Sequence, residues 1–332
     1  MRILHTLHWV QFAGTEKVCV DLCNEMVKEH QVYLLSQEEI RPYLNDEVQL
    51  IEFDFEKNRY NPLFLYQTAK LIEKISPDII QCHNTKEIEI MKYAQIFLTK
   101  KIPIIATKHT LQYKKKYNLA DLCVAILEDT KQLLKQESII IKNGMTYQPP
   151  TKISRPDKFY IVLVGRLDKM KGFDIAVESL ALLNFEFECH IFGQGEEQEN
   201  LQQQINRLKL QDKVLLKGFS NHINDVLYSC DLQIIPSRFE PYGLVAIDAI
   251  YYAPLVISSH TGISEQILPE VLKFENNPQF LSDKITEVYN NYDNFIYIFD
   301  QIKATKDCFS IEKMASSYLD AYQKLINSYY PN

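Results

Sequence analysis

The chain has 332 residues, 46% of them hydrophobic, enough for a sizeable core in each of two domains. Its net charge of −7 argues against a general nucleic-acid binder, and residues 1–148, with 19 basic and 19 acidic side chains, contribute none of that excess. The seven cysteines include no Cys-x-x-Cys and several lie in apolar runs, so they read as buried free thiols in a reducing compartment, not as a disulfide set or a zinc site.

Along the chain, short β-rich runs alternate with helical patterns. "RILHTLHW" (2–9) reads as a first strand and not as a signal peptide. "EKVCVDLCNEMVKEH" (16–30) puts Cys19, Leu22, Cys23 and Met26 on one helical stripe. "QVYLLS", "VQLIEFDF", "PDIIQCHN", "IPIIATKH", "DLCVAIL" and "SIIIKNG" follow as strands, mostly with helical connections. This βαβ rhythm predicts a parallel sheet covered on both faces. A Pro-rich, aperiodic stretch at 143–158 reads as a linker. The rhythm then restarts with strands at 159–167, 187–195, 214–219, 231–237 and 254–260, and from about 277 to 330 the chain reads as helical only. No apolar run approaches the ~20 residues needed to span a bilayer, so the expected location is cytoplasmic. The structural expectation is two doubly wound domains with a cleft between them, and ligands held beyond the carboxyl ends of the strands.

Candidate site residues fall where strands end. "FAGTEKV" (12–18) offers Gly14 for close backbone approach and Glu16 at a helix start whose N–H groups suit an anion. "VGRLDKMKGFD" (164–174) puts Gly165, Arg166 and Lys171 in one loop before a helix; two cations at a helix start make a diphosphate site. "IFGQGEEQENL" (192–202) lacks the third glycine of a dinucleotide fingerprint. "KGFSNHINDVL" (217–227) offers a turn for a base edge. In "SRFEPYGLVAIDAI" (237–250), Gly243 lets Leu244 and Val245 present N–H groups to phosphate. Glu240 precedes that helix and Asp248 lies inside it, placed for hydroxyls on either side. His83 and His109 sit at strand ends. His5 and His8 look like a metal pair, a reading set aside because they lie on or near the first strand without acidic or Cys partners.

Taken together these segments resemble the retaining GT-B glycosyltransferases of family 4, the glycosyl transferases group 1. The carriers are Gly14-Thr15-Glu16, His109, "KNGM" (142–145), "GRLDKMKG" (165–172), "GF" (218–219), "PSRFEPYGLVAIDAI" and "HTGISEQI" (260–267). The resemblance implies a GT-B fold: two Rossmann-like domains facing across a cleft, with residues 1–148 binding acceptor, 149–308 binding the donor, and a helix at 309–330 crossing back to the first domain. It implies that Arg166 and Lys171 bind the diphosphate and neutralise the leaving group. Glu240 would bond the donor sugar, Asp248 the ribose, Gly218-Phe219 the base, and His109 the sugar from the other domain. Gly14 and Thr15 would close over the donor, with Gly165, Tyr242, Gly243, Leu244 and Val245 lining the nucleotide. Two departures stand out: the family has Glu at position 248, and two adjacent glycines where this chain has Ala13-Gly14.

The implied chemistry is retaining transfer of a hexose-type sugar from a nucleoside-diphosphate sugar, UDP-sugar favoured. No metal or other cofactor is expected, and no Asp-x-Asp is present. "KHTLQYKKKY" (108–117), with Lys114, Lys115 and Lys116 among tyrosines, suits peripheral contact with the anionic inner membrane or a lipid-linked acceptor. The resemblance leans towards a lipopolysaccharide, capsule or other surface-glycan acceptor. The alternatives are a nucleotide-sugar 2-epimerase on the same fold and a non-catalytic nucleotide-sugar binder. A nicotinamide dehydrogenase is disfavoured by the missing Gly-x-Gly-x-x-Gly after the first strand.

Overall fold

The computed structural model describes residues 1–8 and 14–330. The chain divides into two compact units: Met1–Thr146 together with Phe309–Asn332, and Tyr147–Cys308. Each is a wholly parallel α/β sheet.

The first unit holds β1 (Arg2–Thr6), β2 (Gln31–Ser36), β3 (Gln49–Glu52), β4 (Ile79–Cys82), β5 (Ile104–Lys108), β6 (Leu122–Ala125) and β7 (Ser138–Ile140). Their order in the sheet is β3-β2-β1-β4-β5-β6-β7. The central strands are apolar on both faces, with Ile3, Leu4, Ile79, Ile80, Ile104 and Ile105 all fully buried, as helix-covered parallel strands must be. The helix Gly14–Met26 buries Val18, Cys19, Leu22, Cys23 and Met26 and packs on the long last helix, Ile311–Tyr329. That last helix also inserts two buried tyrosines whose hydroxyls are satisfied by the central strands: Tyr318 by Thr107 at 2.8 Å and Tyr322 by Gln81 at 3.1 Å. The helix Pro62–Ile75 starts where Asn61 caps Leu63 N–H and Pro62 presets the first turn, and it stops at Ser76 in the left-handed region.

The second unit holds β8 (Phe159–Val164), β9 (Phe187–Phe192), β10 (Val214–Gly218), β11 (Leu232–Ile235), β12 (Val256–Ser259) and β13 (Lys273–Phe274), ordered β10-β9-β8-β11-β12-β13. β13 is two residues long, and the sequence pattern gave no sign of it. A bidentate Arg155–Asp231 pair, both contacts 2.7 Å, joins the approach to β8 to the start of β11.

Each sheet runs outward in one direction from its first strand and then reverses, between β1 and β4 and between β8 and β11. At such a switch point the loops leaving the two strands diverge and open a crevice at their carboxyl ends. The readings placed on Trp9, Phe12 and Ala13 lie outside the described residues.

Candidate functional site

In the second unit the crevice lies between the loop after β8 and the loop after β11. The first carries Gly165, Arg166 and Lys171, the second Glu240. Lys171 Nζ lies 2.5 Å from Glu240 Oε1. Both side chains are largely removed from solvent, 19% and 7% exposed.

Several residues that the sequence did not single out hold this pair. Asp168 caps the turn Lys169–Lys171 by accepting from Met170 N–H and Lys171 N–H at 3.0 and 3.2 Å, which fixes the origin of the Lys171 side chain. Ser237 Oγ donates to Glu240 Oε1 at 2.8 Å, and Glu240 N–H donates to Thr261 Oγ1 at 2.8 Å. Arg238 clamps Asp174 through two 2.7 Å contacts and donates to Lys169 O at 2.7 Å. The loops approach so closely at Gly172, with φ +66°, that a Cβ there would lie 2.0 Å from Pro236 O. Only glycine meets both conditions.

Arg166 behaves differently. Its guanidinium pairs with Asp168 at 3.0 Å and stays 64% exposed, so it is available to a ligand with little rearrangement. Gly243 caps the helix Leu244–Tyr252 in the left-handed region, φ +85°. The half-buried Leu244 and Val245 form its first turn, whose N–H groups have no acceptor within the helix. Free N–H groups at a helix start are chemically able to hold an anion, here one turn from Glu240. Asp248 lies in the same helix, half-buried, close enough to influence Tyr252. Tyr242 is buried, and its carbonyl accepts from Ile263 N–H at 2.6 Å. At the end of β10, Gly218 is in the left-handed region and the Phe219 ring is 69% exposed, an open apolar face of the kind a base stacks on.

The crevice of the first unit is built of histidines and one acid. Glu87, at the start of the helix Thr85–Ala94, accepts from His8 N–H and His83 N–H, both at 2.7 Å, and from Thr6 Oγ1 at 2.9 Å. Burial raises its pKa to about 7 against the pull of these donors. Because β1, β4 and β5 are neighbours, His5, His83 and His109 form a chain. His5 Nδ1 lies 3.3 Å from His83 Nε2, and His83 Nδ1 lies 3.2 Å from His109 Nε2. Burial lowers the His109 pKa to about 4 and holds that of His83 well below the usual value, so both rings are neutral at pH 7. Gly14 is exposed and Thr15 half-buried at the start of their helix.

Two sequence expectations need correction. His5 does have cysteine partners: Cys19 and Cys23, one helical turn apart, present their sulfurs to it, and His8 has an acidic one, Glu56, at 2.6 Å. The sequence hid these contacts because they are made by folding, across strand and helix. Nor is the 108–117 segment a uniform basic patch. Lys108 is buried, bonded to Gln112 O, and Tyr117 is buried. Lys116 is paired with Glu89 at 2.6 Å. Lys114, Lys115 and Tyr113 remain exposed.

Comparison with known proteins agrees with this geometry. Residues 148–298 match the family model "Glycosyl transferases group 1", and residues 12–143 match "Glycosyltransferase Family 4". An uncharacterized glycosyltransferase of Haemophilus influenzae is 23% identical over 92% of this chain and 95% of its own. One from Methanocaldococcus jannaschii is 26% identical over 61% of this chain and 59% of its own. The Escherichia coli O-antigen biosynthesis glycosyltransferase WclY is 28% identical over 48% of this chain and 45% of its own. The last two matches thus span less than two thirds of the relative. Among solved structures, a glycosyltransferase from Rickettsia africae superposes with a TM-score of 0.86 at 21% identity over 98% of both chains. Anabaena HepE in complex with UDP and glucose gives 0.82 at 18% identity, over 98% of this chain and 100% of that one. The fold is GT-B, and the two family models together take in most of the chain. It belongs to the group 1, family 4 glycosyltransferases.

Proposed function

We propose that the chain is a retaining, metal-independent transferase that binds a nucleoside-diphosphate sugar, UDP-sugar favoured, in the crevice of its second unit. The observation that carries this reading is the Lys171–Glu240 pair at the β8/β11 switch point, beside an exposed Arg166 and the helix start at Gly243. Arg166, Lys171 and the N–H groups of Leu244 and Val245 supply positive charge for a diphosphate and for the charge that grows as it leaves. Glu240, held by Ser237, is placed to accept from hydroxyls of the transferred sugar. Asp248 takes the ribose, and Phe219 with Gly218 the base. Gly14, Thr15 and His109 keep the donor-side roles that the resemblance gives them. UDP and UDP-glucose complexes of HepE favour the nucleotide assignment.

The acceptor we assign is a bacterial surface glycan or its lipid-linked precursor, taken by the first unit. The O-antigen and N-acetylgalactosamine-N,N'-diacetylbacillosaminyl-diphospho-undecaprenol names among the relatives favour it. So do exposed apolar side chains on that unit. Leu63 and Tyr66 on the helix Pro62–Ile75 are exposed, as are Ile96 and Phe97 on the turn packed against it, with Tyr66 and Phe97 in edge contact at 5.8 Å. These side chains and the exposed Lys114 and Lys115 suit a membrane surface. No described helix is long and apolar enough to cross a membrane.

The test is calorimetric titration of the purified protein with UDP, GDP, ADP and CDP without added metal. One clear winner supports the phosphate site and identifies the base. Binding by none of them, with or without acceptor lipid, overturns the assignment of Arg166, Lys171 and the helix start.

A further inference from the structure

His5, Cys19 and Cys23 form a fully buried cluster that the transferase reading does not use. His5 is on β1; Cys19 and Cys23 are four residues apart on the helix Gly14–Met26, so both side chains leave the same face. All three are 0% exposed. A ring nitrogen of His5 and the two sulfurs all lie within 4.8 Å of one another. The second observation is independent. His5 Nε2 is buried with no hydrogen-bond partner, while its Nδ1 is engaged by His83 Nε2 at 3.3 Å. An unpartnered buried ring nitrogen beside two thiols costs free energy unless something takes its lone pair.

We propose that this cluster is a binding site for a soft divalent cation of the zinc class, ligated by His5 Nε2, Cys19 Sγ and Cys23 Sγ. Sulfur and imidazole donors select such an ion over calcium or magnesium. Charge selects a divalent ion: each thiol loses its proton on binding, and two thiolates with one divalent cation make a neutral buried unit. The outer shell is already built. A ligating imidazole donates its other ring N–H to a fixed acceptor, and His83 Nε2 is there to receive it. With Nδ1–H of His5 donated to His83, Nδ1–H of His83 is in turn donated to His109 Nε2 at 3.2 Å. An ion on Nε2 thereby fixes the direction of the whole histidine chain. The site lies in the first unit and is independent of the metal-free donor chemistry.

The experiment titrates chelator-stripped, reduced protein with Cd(II) alone and reads the sulfur-to-metal charge-transfer band, with competition by Zn(II). The expected result is one Cd(II) per chain with thiolate absorption, displaced by Zn(II) and unaffected by Cys308→Ser, which alters the exposed thiol. Cys19→Ser and Cys23→Ser each weaken binding at least tenfold. A band of undiminished size in the folded double variant overturns the proposal. So does binding without thiolate absorption, which points to the exposed His260, Glu265 and Glu270. Should the serine variants not fold, X-ray absorption of the wild-type Cd(II) complex decides: sulfur in the first shell supports the site, and oxygen and nitrogen alone overturn it.

Discussion

Lys171 Nζ and Glu240 Oε1 are 2.5 Å apart, although 69 residues separate them in the chain. One leaves β8, the other β11, and the sheet order makes those strands neighbours. The contact unites two proposed tasks that the sequence presented separately: charge for a diphosphate and a carboxylate for a sugar. A cation already paired with the acid proposed to hold the sugar is oriented before any ligand arrives, and less reorganisation is left for the proposed reaction.

Glu240→Gln keeps the shape and the bond from Ser237 but removes the charge. Transfer should fall by about a hundredfold or more, with nucleoside-diphosphate affinity nearly unchanged. Steady-state kinetics and calorimetry on one preparation separate the two. Equal losses in both would refute the sugar-side role. Unfolding in urea should show a loss of ~1–3 kcal/mol, because Lys171 is left without its anion.

Arg166→Ala should do the reverse. Its pair with Asp168 is largely exposed, and such pairs contribute ~0–1 kcal/mol to folding, so stability should barely move. Diphosphate affinity should fall by roughly tenfold or more, the worth of a charged hydrogen bond at ~1.5–3 kcal/mol. Unchanged affinity would place the phosphate site elsewhere.

The sequence showed the parallel α/β character because buried strands read as apolar runs, and it put Arg166, Lys171 and Glu240 at strand ends. What it withheld is set by three-dimensional adjacency. Strand order depends on the direction of each crossover, so the Lys171–Glu240 contact and the His5–His83–His109 chain had no local signature. Ser237 and Thr261 each act on Glu240 through one hydrogen bond, and Asp168 caps a turn through two, all from loops, where small polar residues are common. Cys19 and Cys23 were legible as a helical stripe, but a stripe says only that a face is buried, not that a histidine lies on it. Lys116 read as surface charge because Glu89, its partner, is 27 residues away.

Gly172→Ala tests how tightly the loops after β8 and β11 are held. With φ +66° and a Cβ 2.0 Å from Pro236 O, the methyl group forces the loops after β8 and β11 apart. A loss of about 2–4 kcal/mol in urea unfolding is expected, with nucleotide affinity reduced in the surviving folded protein. Gly218→Ala is the control: φ is +70° but nothing lies within 4 Å, so the cost should stay near the ~1–2 kcal/mol of the left-handed backbone alone. Equal destabilisation by both would show that loop contact adds nothing.

His109 gives stability a sign-defined dependence on pH. Its pKa falls from 6.5 to about 4 through burial, so between those values the unfolded chain binds the proton more readily. Its contribution is complete above pH 6.5 and declines as pH falls towards 4, by up to about 1.4 kcal/mol per unit. Glu87, raised to about 7, has the opposite slope between pH 4.5 and 7, and His83, held well below 6.5, adds to that of His109. Glu87, His83 and His5 are present in wild type and in His109→Gln, but His83 touches His109 and its pKa is lowered partly by it, so the difference between the two proteins reports His109 together with its effect on His83. The variant should lose less stability than wild type on acidification from pH 6.5 to 4.5, measured by urea unfolding at several pH values. Parallel curves would mean that His109 and its pairing with His83 add no pH dependence to folding, and that its ring is not the neutral group its burial implies.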